Sequence, residues 1–183
     1  MWDPFKKTVE TFGENGLEKA REEVVEKLRI PDSSKKFLTK VGLPKESILL
    51  CEFDIKVAEI PTIQQFGLRH GKTIKCKELL RRIGTDGGMQ ICISEEKGCG
   101  KILTVDLKDE YPDRFINSSI ELFIGFLALY YEACKRCQGS VDENIGKEAY
   151  KFYDQLHAYD SAAFATSDTW WSIITEQMKV GLL

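Results

Sequence analysis

The stretch DRFINSSIELFIGFLALYY, Asp113 to Tyr131, changes its hydrophobic period half-way along. Before Asn117 the short run RFI suits a last edge strand. After it the apolar residues recur three and four apart, the spacing of a helix face. Ile120, Phe123, Leu127, Tyr130 and Cys134 make one face, and Ile124 and Tyr131 widen it. The pattern predicts a helix from Ser119 to about Cys137, apolar nearly all round and therefore buried. Glu121 and Gly125 interrupt it, and its apolar part is shorter than the ~20 residues a bilayer span needs.

Three polar residues stand at the switch. Asn117 and Ser119 satisfy the N-x-S sequon, which matters only to a chain that meets the glycosylating enzyme. A nucleophilic serine would want a G-x-S-x-G elbow, and neither glycine is there. Ser118 and Glu121 have the S-x-x-E spacing of a capping box, which predicts Ser118 as N-cap with Glu121 reaching back to its amide. The junction reads as structural.

On its C-terminal side, SVDENIGKEAYKFYDQLHAYD reads as a polar break followed by a helix. SDTWWSIITEQMK reads as a capped final helix with Trp171, Ile174 and Met178 on one stripe. On the N-terminal side, MQICIS and KILTVDL are strands joined by EEKGCG, an antiparallel pair from Met89 to Leu107. SILLCEFDI alternates at Cys51, Phe53 and Ile55, so sheet begins there. Between these strands the pattern permits a short strand at Thr73 to Lys75, with Gly84, Gly87 and Gly88 marking turns. Leu17, Ala20, Val24 and Leu28 form a helical stripe over residues 17 to 28. Asp32 or Ser33 then caps a second short helix that Gly42 and Pro44 end.

A chain of 183 residues suits one domain, and 43% hydrophobic with 30% charged residues is ordinary for a globular protein. The opening MWDPFKKTVE lacks the pattern of a secretory signal, so a cytoplasmic protein with no membrane partner is expected. The six cysteines then read as thiols. CKRC, Cys134 and Cys137, falls late in a helix, where the dipole disfavours a thiolate. Cys92 and Cys99 are too far apart to complete a zinc knuckle with it, so no metal and no cofactor are expected.

Net charge is −3, unevenly spread. Residues 1 to 100 carry 18 Lys and Arg against 16 Asp and Glu; residues 101 to 183 carry 8 against 13. Local acidity in the second half suits either a solvated face or a docking surface for a basic partner. Enzyme candidates are thin: His70 and Cys76 could act as base and nucleophile only if folded together. The basic run RHGKTIKCKELLRR, with Arg69, Lys72, Lys75, Lys77, Arg81 and Arg82, lacks the interleaved aromatics of a nucleic-acid reader.

In order along the chain, ELLRRIGTDGGMQICIS, GKILTVDL and RFINSSIELFIGFLALYY resemble the SUKH superfamily of bacterial immunity proteins, most closely its fourth subfamily. VGLP with LLCEFDI fits the N-terminal part of that pattern, and SDTWWSIITEQM fits its close, so the resemblance covers roughly residues 37 to 179. The segment from Ser140 to Asp160, the pair Trp170 and Trp171, and CKRC depart from it. The resemblance implies an α+β fold, a mostly antiparallel sheet flanked by helices, in a single SUKH-like domain with a helical segment over residues 1 to 36. It also implies a protein without chemistry of its own that binds and neutralises a polymorphic toxin, a nuclease or deaminase, encoded nearby. A ligand-binding or scaffold protein of the same fold is the alternative. The expected partner surface is acidic: Asp106, Asp109, Glu110 and Asp113 after the second clear strand, continued by the hairpin tip Glu95 and Glu96. Asp106 equally suits capping the turn at its strand end.

Overall fold

The computed structural model describes residues 2–55, 58–75, 78–137 and 142–180. Three helical pieces come first: α1 (Pro4–Phe12), α2 (Glu22–Val25) and α3 (Asp32–Lys40). Between and after them, β1 (Leu17–Glu18) pairs with β2 (Leu43–Pro44) in a two-stranded ribbon. The main sheet has five strands hydrogen-bonded in chain order, each antiparallel to the next: β3 (Cys51–Phe53), β4 (Leu80–Asp86), β5 (Met89–Ser94), β6 (Ile102–Val105) and β7 (Arg114–Asn117). A short helix α4 (Ile63–Arg69) lies between β3 and β4, and α5 (Ile120–Cys137), α6 (Asp142–Tyr159) and α7 (Trp170–Lys179) complete the chain. The fold is α+β with an antiparallel sheet, as expected.

Alternation along the strands divides the sheet into two apolar faces. Ile83, Ile91, Ile93, Ile102 and Ile116 point to the side of α5 and meet Phe123, Ile124, Phe126 and Leu127. Leu80, Cys92, Leu103 and Val105 point the other way and pack with Ile63 of α4. The larger cluster also takes in Leu17, Val24, Leu28, Trp171 and Met178, so one core reaches both ends of the described chain.

The hairpin from Met89 to Leu107 and the buried helix after Ser119 form where expected. Residues 17 to 28 do not form the expected helix. Leu17, Ala20, Val24 and Leu28 are all buried, but the backbone is two strand residues, an irregular stretch and a single helical turn. The chain there is held by Glu18 pairing with Leu43, and a Cβ on Gly42 would lie 2.3 Å from the Glu18 carbonyl oxygen. A straight helix could not approach so closely. Thr73 to Lys75 lie outside any strand, and the missing strand is β4 instead. Gly84 sits inside β4 at a register shift, where a Cβ would come within 2.3 Å of the Glu52 carbonyl. Only Gly87 and Gly88, both with positive φ, form the turn between β4 and β5.

α1 is capped by Asp3, whose side chain accepts from the amides of Phe5 and Lys6, with Pro4 in the first helical position. It docks on α5 at Gly125, where a Cβ would meet the Trp2 ring at 2.8 Å and Pro4 at 3.0 Å. Trp2 also stacks on Tyr159, ring centres 4.3 Å apart. Lys7 Nζ and Thr11 Oγ1 donate to the Glu132 carboxylate of α5. Partial burial alone would raise the Glu132 pKa, but these bonds hold it below the usual carboxylate range.

The polar junction at Asn117 to Ser119 is structural, though not by a capping box. Asp160, buried just after α6, accepts from Asn117 Nδ2 at 2.9 Å, from the Ser118 amide at 2.8 Å and from Ser118 Oγ at 2.8 Å. Asn117 Oδ1 in turn accepts from Trp171 Nε1 at 2.7 Å. Ser118 is therefore drawn to a charged acceptor, and Ser119 takes the cap, its Oγ accepting from the Leu122 amide at 3.4 Å. Glu121 turns away to accept from Ser34 Oγ of α3. Strand β7, the end of α6 and helix α7 are joined by this one cluster.

Candidate partner-binding site

A meander of antiparallel strands puts successive turns at opposite ends of the sheet. The Gly87–Gly88 turn and the loop of residues 106–113 share one end with the start of β3; residues 95–101 lie at the other. Glu95 and Glu96 therefore do not continue the acidic surface of the 106–113 loop. Glu95 is moreover interior, 4% exposed, accepting from the Arg29 amide and from Arg81 Nε, each at 2.8 Å. Glu96 is exposed at that far end.

The remaining four acids share the 106–113 loop but divide in role. Asp106 folds the loop: its carboxylate accepts from the amides of Lys108, Glu110 and Tyr111 at 2.9, 2.9 and 3.1 Å. Those bonds, the one from Lys108 foremost, keep its carboxyl below the usual range. Asp109 has a φ of 61°, a left-handed conformation that Asp tolerates. It is exposed, as are Glu110 and Asp113. Asp109 reaches Lys75 Nζ at 3.7 Å, both side chains largely in solvent, so the pair holds little. Asp113 is raised above the ordinary carboxylate range, first by partial burial and then by the negative field of Glu78, Asp109 and Asp106. Its like-charged neighbourhood is the local electrostatic signature of this end.

The basic run is largely consumed by the fold. Arg81 is bound to Glu95 and to the Ile60 carbonyl. Arg82 donates to Gln90 at 2.8 Å and lies over the Phe66 ring at 4.2 Å. Lys77 and Cys76 fall outside the described residues, and with them the pairing of His70 with Cys76. His70 itself is in hydrogen-bonding contact with the Phe66 carbonyl through Nδ1 at 2.9 Å. Cys134 is pushed up by burial, away from the thiolate that redox or metal chemistry uses. Among the described residues no group of three or more His, Cys, Asp and Glu could hold a metal ion. None of the described helices is long and apolar enough to cross a membrane.

The same sheet end carries apolar features that the alternation of SILLCEFDI did not announce. Ile48 and Cys51 exchange backbone hydrogen bonds of 3.2 and 2.8 Å around Leu49 and Leu50. Both central residues have positive φ, 51° and 62°, the pattern of a type I′ turn, which ordinarily calls on Asn and Gly. A side chain with a Cβ in that region costs about 1–2 kcal/mol per residue. Leu50 is nevertheless 71% exposed. It stands beside Gly87, whose amide donates to the Leu50 carbonyl at 3.4 Å. Next to it a cleft of about 450 Å³ opens between the sheet and α7, walled by Leu49, Leu50, Trp170 and Ile174. Trp170 Nε1 closes one side by donating to Asp86 at 2.6 Å. Burial pushes the Asp86 carboxyl up, with Trp170 and Arg114 opposing the shift.

One end of the sheet thus carries a strained apolar turn with its cleft and, on the 106–113 loop, the exposed carboxylates of Asp109 and Asp113 beside Thr73, Ile74 and Lys75. The family model for the SUKH-4 immunity protein matches residues 4–177. No curated protein and no solved structure matches the chain. A match over nearly the whole chain places this protein in the SUKH-4 immunity protein family.

Proposed function

We propose that this SUKH-4 family member works in the bacterial cytoplasm by binding a nuclease or deaminase toxin domain encoded near its own gene, without chemistry of its own, and that it does so through the acidic end of its sheet. The exposed carboxylates of Asp109, Glu110 and Asp113 on one loop carry this reading. A toxin that acts on nucleic acid needs a basic cleft to hold phosphates, so an acidic partner can steer towards that cleft and cover it. Asp106 supports the surface from within by folding the loop.

Reversing Asp109 and Glu110 together to Lys tests it. Neither residue is buried, so the thermal melt should fall only by the cost of Lys at the positive φ of Asp109, about 1 kcal/mol. Association with the toxin domain should slow and its salt dependence flatten, because steering charges act on the on-rate and are screened by ions. Undiminished protection of toxin-expressing cells by the double variant would remove this loop from the interface.

A further inference from the structure

Two neighbouring features at the acidic end of the sheet work against the stability of the free protein. One is the Leu49–Leu50 turn, two side-chain-bearing residues held at positive φ with the second left in solvent. Strained backbone of this kind persists where the surroundings enforce it, and gathers at binding sites. The other is the floor of the adjoining cleft. Thr104, 1% exposed, and Arg114 both line it, and Thr104 Oγ1 and Arg114 Nε are buried without a hydrogen-bond partner. The two residues face each other across β6 and β7. A buried donor left unpaired is a standing cost that an incoming acceptor removes.

We infer that Leu50 and this cleft are the apolar centre of the toxin interface, and that the occupant is a loop of the toxin bringing one apolar side chain and one carbonyl or carboxylate oxygen into the cleft. The inference rests on the immunity reading and deepens it. Complementarity to the unpaired Nε of the Arg114 guanidinium and to Thr104 Oγ1 fixes the kind of partner, one that brings an oxygen acceptor. The cleft adjoins a second depression that shares Met89 and Arg114 with it and is lined by charges of both signs, Asp106, Lys108 and Glu110, beside Tyr111. An apolar centre with a charged rim is the anatomy of protein interfaces, where a few desolvated anchors carry most of the affinity. The mixed-charge rim supplies polar pairing, and Arg114 and Thr104 select an acceptor inside the cleft. Leu50 is the knob that the partner's own surface must receive.

Residues kept for binding at the expense of folding leave a distinctive pattern under substitution. Leu50→Gly relieves the positive φ, Leu50→Asn does so with less added chain freedom, and Thr104→Val removes the unpaired hydroxyl while keeping the shape. The measurements are the melting temperature of each free protein and its affinity for an inactivated C-terminal domain of the toxin gene adjoining this one. The expected result is melting at or above wild type for all three. Affinity should fall by roughly tenfold or more for both Leu50 variants, the scale of one interface anchor, and by less for Thr104→Val. Wild-type affinity retained by both Leu50 variants overturns the inference while leaving the immunity reading intact. Lower melting of all three variants also overturns it, since Leu50 and Thr104 would then serve the fold. A small molecule in the cleft of the toxin complex, with the toxin seated elsewhere, overturns it as well. Failure of the wild-type protein to bind that domain overturns the immunity reading and this one with it.

Discussion

The junction at Asn117 to Ser119 and the loop at residues 106–113 are both polar, both acidic nearby and only a strand apart, yet they spend their hydrogen bonds in opposite directions. Around the junction, Asp160, Asn117, Ser118 and Trp171 satisfy one another inside the molecule. Around the loop, Asp106 alone turns inward, and Asp109, Glu110 and Asp113 face solvent. A polar residue bonded inwards belongs to the fold. A charge left outward amid like charges adds nothing to the fold.

The sharpest way to break this contrast is at the inner region. Trp171 is fully buried, in edge contact with Phe126 and Phe152. Trp171→Ala should cost about 3–5 kcal/mol, the usual large-to-small penalty. Chemical denaturation should show the same single transition by far-UV and near-UV signals; a loss under about 1 kcal/mol would mean the helix is not anchored there. Asp160→Ala comes next. It leaves the Ser118 amide and the Asn117 and Ser118 side chains without their acceptor, and should cost about 2–3 kcal/mol. A neutral outcome would show that water satisfies these groups as well as the carboxylate does.

A third, smaller effect concerns pH. Because the Glu132 pKa is depressed in the folded protein, its contribution is present above the unfolded carboxylate range and is lost as pH falls through the folded value. Glu132→Gln should therefore destabilise by about 1 kcal/mol near neutrality, and the gap to wild type should close in acid. A gap that stays constant with pH would assign the effect to packing of α1. The smallest effect is at the rim. Asp113 is raised, so its charge works against the fold once pH exceeds that value. Asp113→Asn should stabilise by a few tenths of a kcal/mol at neutral pH, with the gain vanishing in acid. A loss instead would show that Asp113 has an inward partner after all.

Periodicity revealed what tertiary contact did not have to override. The hairpin of β5 and β6, helix α5 and helix α7 were legible because alternation, a two-glycine turn and a Trp-bearing stripe each stayed local. Residues 17 to 28 were not, because their buried stripe is compatible with helix and the close approach of Gly42 decides against it. β4 was hidden by Gly84, which reads as a turn but serves a close backbone approach. α1 and α4 had local signals that could have been used, Asp-Pro at one start and Thr62 with Gln65 at the other. Ser118 had the spacing of a cap, but Asp160, 42 residues on, offered a better partner. The exposure of Asp109, Glu110 and Asp113 was legible from their polar, turn-forming context. Glu95 was not, since nothing local to EEKGCG foretells a buried ion pair with Arg81, and the Leu49–Leu50 turn was not, since SILLC reads simply as strand.

The seating of Trp2 and Pro4 against Gly125, with Trp2 stacked on Tyr159, has a consequence in time as well as in space. On a ribosome the first helix emerges with only Phe37 of α3 to pack against Phe5 until α5 has been made, roughly 110 further residues and on the order of ten seconds at ordinary rates of synthesis. Through that interval its apolar side is open to chaperones and proteases. The nascent chain can therefore assemble its hairpins before α1 finds its seat, and a chain cut short before α5 leaves α1 without the helix it docks on.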